Sequence, residues 1–301
     1  MKDPYLLHMF NPTKNVSPFD VNMAYEAEYD GVIPYGEVTL DDIHTLTQDT
    51  IFSRGPKGLK RTGIFIGGRS FGMAIDMLNR AKAAMVPPFE VSVFADPSGA
   101  ITTAAAMIAS VEHWVKKKTG DSLEGKSIHI IGGTGPVGVC AGIIAAHCGA
   151  EVYLLSSRGL EVAQEFAEEN NGKFGVTMTG GDGSSDESLG KMIQGADIVI
   201  GSAKAGLQVL SKAQLAKAEN LIVAADANAV PPLGIEGIEV HDMGKELDFT
   251  PKKAVGIGAL AMGNIKYKVH YRMFQMMRET DKPLYLDHDE AFKVAREYAA
   301  K

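Results

Sequence analysis

The heptapeptide Gly132-Gly133-Thr134-Gly135-Pro136-Val137-Gly138 constrains the fold of this chain more than any other segment. It follows the apolar run Ser127–Ile131 and opens the helix-compatible stretch Pro136–Cys148. A G-x-G-x-x-G between a strand and a helix has a mechanical reading. Gly133 permits a tight turn, Gly135 lets backbone approach a pyrophosphate, and Gly138 lets the helix pack close to the strand. Pro136 suits the first helical turn, where its missing N–H would have had no intrahelical partner. The other free N–H groups and the helix dipole favour an anion there. The expectation is a dinucleotide site built from Gly133, Thr134, Gly135, Pro136, Val137 and Gly138. The alternative is a structural glycine turn with no ligand.

An NAD-binding fold of this kind usually places Asp or Glu about 20 residues further on, at the end of the second strand, for the ribose 2′-hydroxyl. Here Ser156-Ser157-Arg158 occupies that place. An arginine pairs with a 2′-phosphate through forked, charge-assisted bonds. Ser157 and Arg158 therefore join the expected site, with NADP as the preferred cofactor. Ala203 follows the expected strand Asp197–Gly201, and Asn228 follows Leu221–Ala225. Carboxyl ends of parallel strands collect ligands, so both are expected to line the nicotinamide side.

Short β-rich runs alternate with helical patterns along the whole chain, which predicts an α/β fold with parallel sheets. The first half offers strands at Tyr5–Met9, Gly31–Pro34, Gly63–Ile66 and Val91–Phe94, with helices at Ser17–Glu28, Thr39–Gln48, Ser70–Met85 and Thr102–Lys118. Glu151–Ser156 and a short Ile238–Val240 are further strand candidates, and helices are expected over Leu260–Glu279 and Asp287–Ala300. A chain of 301 residues suits about two domains. The polar segment Thr119–Gly125 divides it into an α/β domain over 1–122 and a Rossmann-like parallel-sheet domain over 123–269. The helices from about 270 to 301 are expected to pack back on the first domain.

Composition narrows the partners. The formal charge of −7 is spread over both halves, with no basic module, so nucleic acid is not an expected partner. The two cysteines, Cys140 and Cys148, suit a reducing compartment rather than a disulfide framework. Met1-Lys2-Asp3-Pro4 lacks the layout of a signal peptide, and no apolar run reaches membrane-spanning length. A cytoplasmic location without a membrane partner is expected. The eight histidines show no metal-ligand spacing, and no metal is expected. Serine-nucleophile and P-loop signatures are absent from the sequence. Met273, Met276 and Met277 sit at helical spacing and read as core. Lys266 and Lys268, which close the segment Gly263-Asn-Ile-Lys-Tyr-Lys, are either functional or surface lysines.

Several segments together resemble one family. They are Ser17-Pro-Phe-Asp-Val-Asn22, Asp49-Thr-Ile-Phe-Ser-Arg54, Thr62-Gly-Ile-Phe-Ile-Gly-Gly68, Val86-Pro-Pro-Phe89, Ala95-Asp-Pro-Ser-Gly99, Gly132–Gly138, Asn228–Gly237 and Gly256–Lys266. Together they resemble the NAD(P)-dependent methylene-tetrahydromethanopterin dehydrogenases of one-carbon metabolism, in particular the B-type enzymes of methylotrophs. The resemblance implies oxidation of methylene- to methenyl-tetrahydromethanopterin, with hydride passed to NAD(P)⁺ in formaldehyde metabolism. It implies a pterin site in the first domain and a homo-oligomer, a trimer or a multiple of it. It places Lys266 in the active site as the catalytic candidate, above Lys268, with Asp20 and Thr102 as pterin contacts. NADP-strict relatives carry two adjacent basic residues after the second strand, whereas Gly159 follows Arg158 here. NADP is thus expected to be preferred, with NAD also accepted. The same step on methylene-tetrahydrofolate is the enzymatic alternative. A non-catalytic nucleotide-binding regulator is the alternative of another class.

Overall fold

The computed structural model describes residues 3–300; Lys301 and the opening Met1-Lys2 of the segment considered above lie outside the described residues. The first elements are β1 (Leu6–Phe10), α1 (Pro18–Glu26), β2 (Gly31–Tyr35), α2 (Asp42–Phe52), α3 (Pro56–Leu59), β3 (Thr62–Ile66), α4 (Phe71–Ala83) and β4 (Ser92–Ala95). A 3₁₀ turn at Pro97–Gly99 leads into α5 (Ala100–Thr119). There follow β5 (Ser127–Ile131), α6 (Pro136–His147), β6 (Glu151–Ser156), α7 (Leu160–Phe174), β7 (Met178–Asp182), α8 (Asp186–Ile193), β8 (Ile198–Gly201), α9 (Lys212–Leu215) and β9 (Val223–Asp226). The chain then forms β10 (Met243–Glu246), β11 (Val255–Ile257), α10 (Ala259–Glu279), β12 (Tyr285–Leu286) and α11 (His288–Ala299). None of the described helices is long and apolar enough to cross a membrane.

Contacts group the chain into two compact units. One comprises the residues up to Thr102 together with Tyr267–Val294; the other comprises Thr103–Lys266 with the residues from Ala295. The polar segment Thr119–Gly125 lies inside the second unit, because most of α5 groups with it.

The first unit is built on a five-stranded sheet of order β12-β4-β3-β1-β2, parallel throughout. Its central strands β3 and β4 are buried at every position, as expected of a parallel sheet covered on both faces. The later part of α10 buries Met273, Phe274 and Met277 in this core, while Met276 stays half-buried. Phe274 meets Phe65 and Phe94 at centroid separations of 5.4 and 5.3 Å. Crossover helices fix a single direction for the strands, so all their carboxyl ends emerge along one edge.

The second unit carries a seven-stranded sheet of order β10-β11-β9-β8-β5-β6-β7. From β7 to β11 this is the doubly wound order, in which strand succession reverses between β5 and β8. β5 and β6 run over the residues that the apolar pattern predicts, and each ends at the edge where ligands collect. The edge strand β10 is antiparallel to β11, with an irregular register between Met243 and Lys245. Its exposed charges are tied down by ion pairs, Lys118–Glu246 at 3.8 Å and Lys245–Asp242 at 3.6 Å.

One expected strand is absent. Ile238–Val240 pairs with no strand; it leaves a turn over Ile235–Ile238 in which the Ile238 N–H donates to the Ile235 carbonyl at 3.3 Å. The preceding Gly237, at φ +95, turns the chain where a strand would have to run straight. Ile238 keeps its apolar role and is buried in the core of this unit.

His129, at the centre of β5, is 4% exposed, stacks on Tyr153 at 4.6 Å and shares a 2.9 Å hydrogen bond between its Nε2 and the Ser127 hydroxyl. Burial holds its pKa down at about 4, against the partial opposition of Asp197. The unfolded chain accepts this proton near the ordinary histidine value while the folded chain does not, so the effect leaves stability intact above that value and removes it as pH falls toward 4. Between about pH 7 and about pH 5 this one group should cost about 2 kcal/mol. Urea unfolding of wild type and His129→Phe at both pH values checks this: the variant should lose clearly less stability on acidification.

Candidate functional site

The turn after β5 is shaped by backbone crowding. The N–H groups of Gly132 and Gly133 both donate to the Leu155 carbonyl, at 3.2 and 3.1 Å, so the chain folds over β6 as soon as β5 ends. The left-handed conformation falls on Gly132, at φ +78, rather than on Gly133. Gly133 is needed for a different reason than the tight turn: a Cβ on it would lie 2.7 Å from Leu154 Cα. A Cβ on Gly138 would lie 2.5 Å from the Gly132 carbonyl oxygen and 2.8 Å from Gly133 Cα, so α6 touches the turn backbone to backbone. Gly135 is the N-cap of α6, with Pro136 in the first turn. The first N–H groups of α6 are therefore presented at the start of the helix, as an anion requires.

A cavity of about 360 Å³ lies along this turn, lined among others by Thr134, Gly135, Ser157, Ser185, Ser202 and Ala203. These residues follow β5, β6, β7 and β8, so the cavity sits on the carboxyl edge at the switch point of the sheet. Arg158 is exposed at the end of β6, and its backbone N–H donates to the Ser156 hydroxyl at 3.1 Å. Its backbone thus lies at the strand end beside Ser157, which lines the cavity. Another cavity, of about 370 Å³, meets Thr62, Ser92 and Pro283 in the first unit. It lies at the amino ends of β3, β4 and β12, away from the edge where this architecture binds ligands.

Asn228 is 5% exposed and spends its amide on the surrounding loops. Oδ1 accepts from the Gly206 and Val230 N–H groups at 3.1 and 2.8 Å, and Nδ2 donates to the Pro232 carbonyl at 2.9 Å. The structure thus uses Asn228 to shape the loop after Ala203. Asp226, at the end of β9, accepts from the Asn228 and Ile235 N–H groups at 3.0 Å each. Burial raises its carboxyl pKa while those N–H donors pull the other way.

The carboxyl edge of the first unit carries a second cluster. Asp20, in the first turn of α1, is 3% exposed. Its Oδ1 lies 3.9 Å from Nε2 of His270, a fully buried residue of α10. His270 Nδ1 lies 2.8 Å from Oδ2 of Asp96, which leaves the end of β4 and is also fully buried. Thr102 is buried as well, and its hydroxyl donates to Asp96 Oδ2 at 2.6 Å. Thr102 therefore bears on the cluster through Asp96. Lys266 is half-buried on α10, one helical turn before His270, and Lys268 is exposed. His270 and Asp96 are not among the candidates that motif spacing supplies. The available signals were an acid directly after an apolar strand, and a histidine one turn from both Lys266 and Phe274.

A doubly wound sheet with a glycine turn at its switch point defines a dinucleotide-binding architecture. Solved structures agree at the level of fold. Shikimate 5-dehydrogenase from Listeria monocytogenes superposes with a TM-score of 0.51 at 14% identity, covering 97% of this chain and 96% of its own. The NAD-dependent malic enzyme from Thermotoga maritima gives 0.55 at 13% identity, covering 97% and 84%. Sequence relatives are more specific. A family model described as methylene-tetrahydromethanopterin dehydrogenase, N-terminal, matches residues 18–98. The NAD(P)-dependent methylenetetrahydromethanopterin dehydrogenase of Methylorubrum extorquens is 45% identical over 98% of each chain. The bifunctional protein MdtA of the same organism is 35% identical over 98% of this chain and 99% of its own. This chain belongs to the methylene-tetrahydromethanopterin dehydrogenase family.

Backbone contact at Gly138 yields a direct expectation. Gly138→Ala should force the turn away from α6 and weaken NAD(P) binding by about tenfold or more, with the helical content unchanged. Titration of the cofactor by calorimetry, beside a circular dichroism spectrum, measures both.

Proposed function

We infer that this chain oxidises methylene-tetrahydromethanopterin to methenyl-tetrahydromethanopterin in one-carbon metabolism, passing a hydride to NAD(P)⁺. The observation that carries this reading is the 45% identity over 98% of both chains to a dehydrogenase of that name. The glycine turn and the anion-ready start of α6 fit a dinucleotide pyrophosphate, as the close approaches at Gly133 and Gly138 support. NADP is the preferred cofactor, with NAD accepted, because Arg158 stands where an acid would favour NAD. Residues 1–122 carry most of the pterin site and 123–269 the nucleotide site, with Lys266 of the latter segment on the pterin side. The working form is a cytoplasmic homo-oligomer, trimeric or a multiple of it, as the family resemblance implies.

When bound, NAD(P)⁺ supplies the hydride acceptor. Loss of hydride from a carbon between two nitrogens leaves a cation shared by both, so no proton leaves that carbon and no general base is required. The protein's task is placement: reacting atoms held about 3–3.5 Å apart account for much of the barrier lowering. Asp20 supplies a carboxylate that offsets charge growing on the carrier, since fixed charge acts strongly where water is excluded. Lys266 orients polar groups of the pterin, because a lysine charge close to the developing cation would oppose it. Gly133–Gly138, Ser157, Arg158 and Ala203 hold the nucleotide, and Asn228 fixes the loops beside it.

A spectrophotometric assay on methylene-tetrahydromethanopterin and methylene-tetrahydrofolate, each with NAD and NADP, tests the reading. Preferred turnover of the folate would reassign the carrier, and inactivity on both would leave a nucleotide-binding regulator. In the same assay Arg158→Ser should raise the KM for NADP by about tenfold or more while changing that for NAD little. Lys266→Ala should cut turnover by about tenfold or more with NADP affinity nearly unchanged, as titration of the cofactor would show.

A further inference from the structure

The Asp96–His270–Asp20 cluster is built more elaborately than a core requires. Asp96 Oδ1 accepts from the Ile101 and Thr102 N–H groups at 2.9 and 3.1 Å, and Oδ2 accepts the Thr102 hydroxyl at 2.6 Å. A carboxylate that accepts from every one of these donors also accepts from His270, so the imidazole proton facing it sits on Nδ1. The opposite nitrogen, Nε2, then faces Asp20 Oδ1 at 3.9 Å. The three side chains are 0%, 0% and 4% exposed for Asp96, His270 and Asp20. Phe19, Phe65, Phe94 and Phe274 surround the imidazole with ring centroids 5.0 to 6.0 Å away.

Burying two carboxylates and an imidazole among aromatic rings costs desolvation that an apolar core would avoid. Two carboxylates in such surroundings oppose each other's ionisation unless positive charge lies between them. Asp96 and Asp20, on two sides of His270, favour the protonated ring, and that ring favours both carboxylates in their charged form.

We propose that His270 is a positioning residue for the dehydrogenase reaction: anchored by Asp96, it holds Asp20 as an oriented carboxylate for the pterin. This rests on the reading of Asp20 as a pterin contact. His270 acts through Asp20 and does not itself touch the carrier. The chain Thr102–Asp96–His270–Asp20 links the end of β4 and the start of α5 to α10 and α1, so the orientation of Asp20 is set by elements far from it in sequence.

The test uses full-length protein and the pterin carrier with NADP. His270→Asn keeps a donor where Nδ1 meets Asp96 and removes the group facing Asp20; His270→Gln places an amide nearer Asp20. The Asn variant should raise the pterin KM by about tenfold or more with the NADP KM and the thermal midpoint close to wild type, and the Gln variant should recover part of that loss. Asp20→Asn should raise the same KM. An unchanged pterin KM in His270→Asn, beside a raised one in Asp20→Asn, overturns the positioning role while leaving the Asp20 reading intact. An unchanged KM in Asp20→Asn, with active wild type, overturns that reading and the positioning role with it. Nitrogen-15 imidazole spectra of the wild type give a check that needs no variant: the His270 signals should show both Nδ1 and Nε2 protonated, and an unprotonated Nε2, whose lone pair would face the Asp20 carboxylate, overturns the proposal.

Discussion

The second unit depends on how closely backbone approaches backbone where β5 turns into α6. A single Cβ at Gly138 would meet the Gly132 carbonyl, and one at Gly133 would meet the Leu154 backbone. Interior packing leaves no slack to absorb such contacts. The consequence is a helix whose first turn points its free N–H groups at the carboxyl edge of the sheet. The neighbouring strands, parallel to β5, end at the same edge, so Ser157, Gly183 and Ser202 arrive around one cavity. The proposed anion site would rest on the absence of side chains more than on any charged residue.

The first unit solves a different problem on a similar parallel scaffold. Its carboxyl edge places Asp96 where β4 ends, and the start of α5 saturates that carboxylate with two N–H groups and a hydroxyl. Thr102 was a candidate for substrate contact, yet its hydroxyl faces inward to Asp96. Asn228 in the second unit repeats the pattern, its amide bonded to three backbone groups of nearby loops. In both units a conspicuous polar residue beside the expected site shapes the site from behind.

Much of the fold was legible from apolar runs and glycine placement. β5 and β6 could be read to the residue because nothing polar but His129 and Tyr153 interrupts their buried stretches. β7 was not, because Met178-Thr-Gly-Gly-Asp182 carries glycines where α7 presses against Gly180 and no β-branched run can announce it. β10 to β12 are two to four residues long and take their order from neighbours rather than from local pattern. The nucleotide motif is local in sequence, so its residues could be named. His270 could not be, because its meaning comes from Asp96 and Asp20, separated from it by whole elements.

The outer strand β10 has a bearing on how copies of this chain can associate. A bare parallel sheet ends in a row of open N–H and C=O groups that invites another strand to add on. Here the last strand is reversed, irregular in register and edged with Lys245 and Glu246, whose charges are held by Asp242 and Lys118. Such a border discourages growth of the sheet by one more chain. The sheet is thereby closed on this side by charge and irregular register rather than by another element.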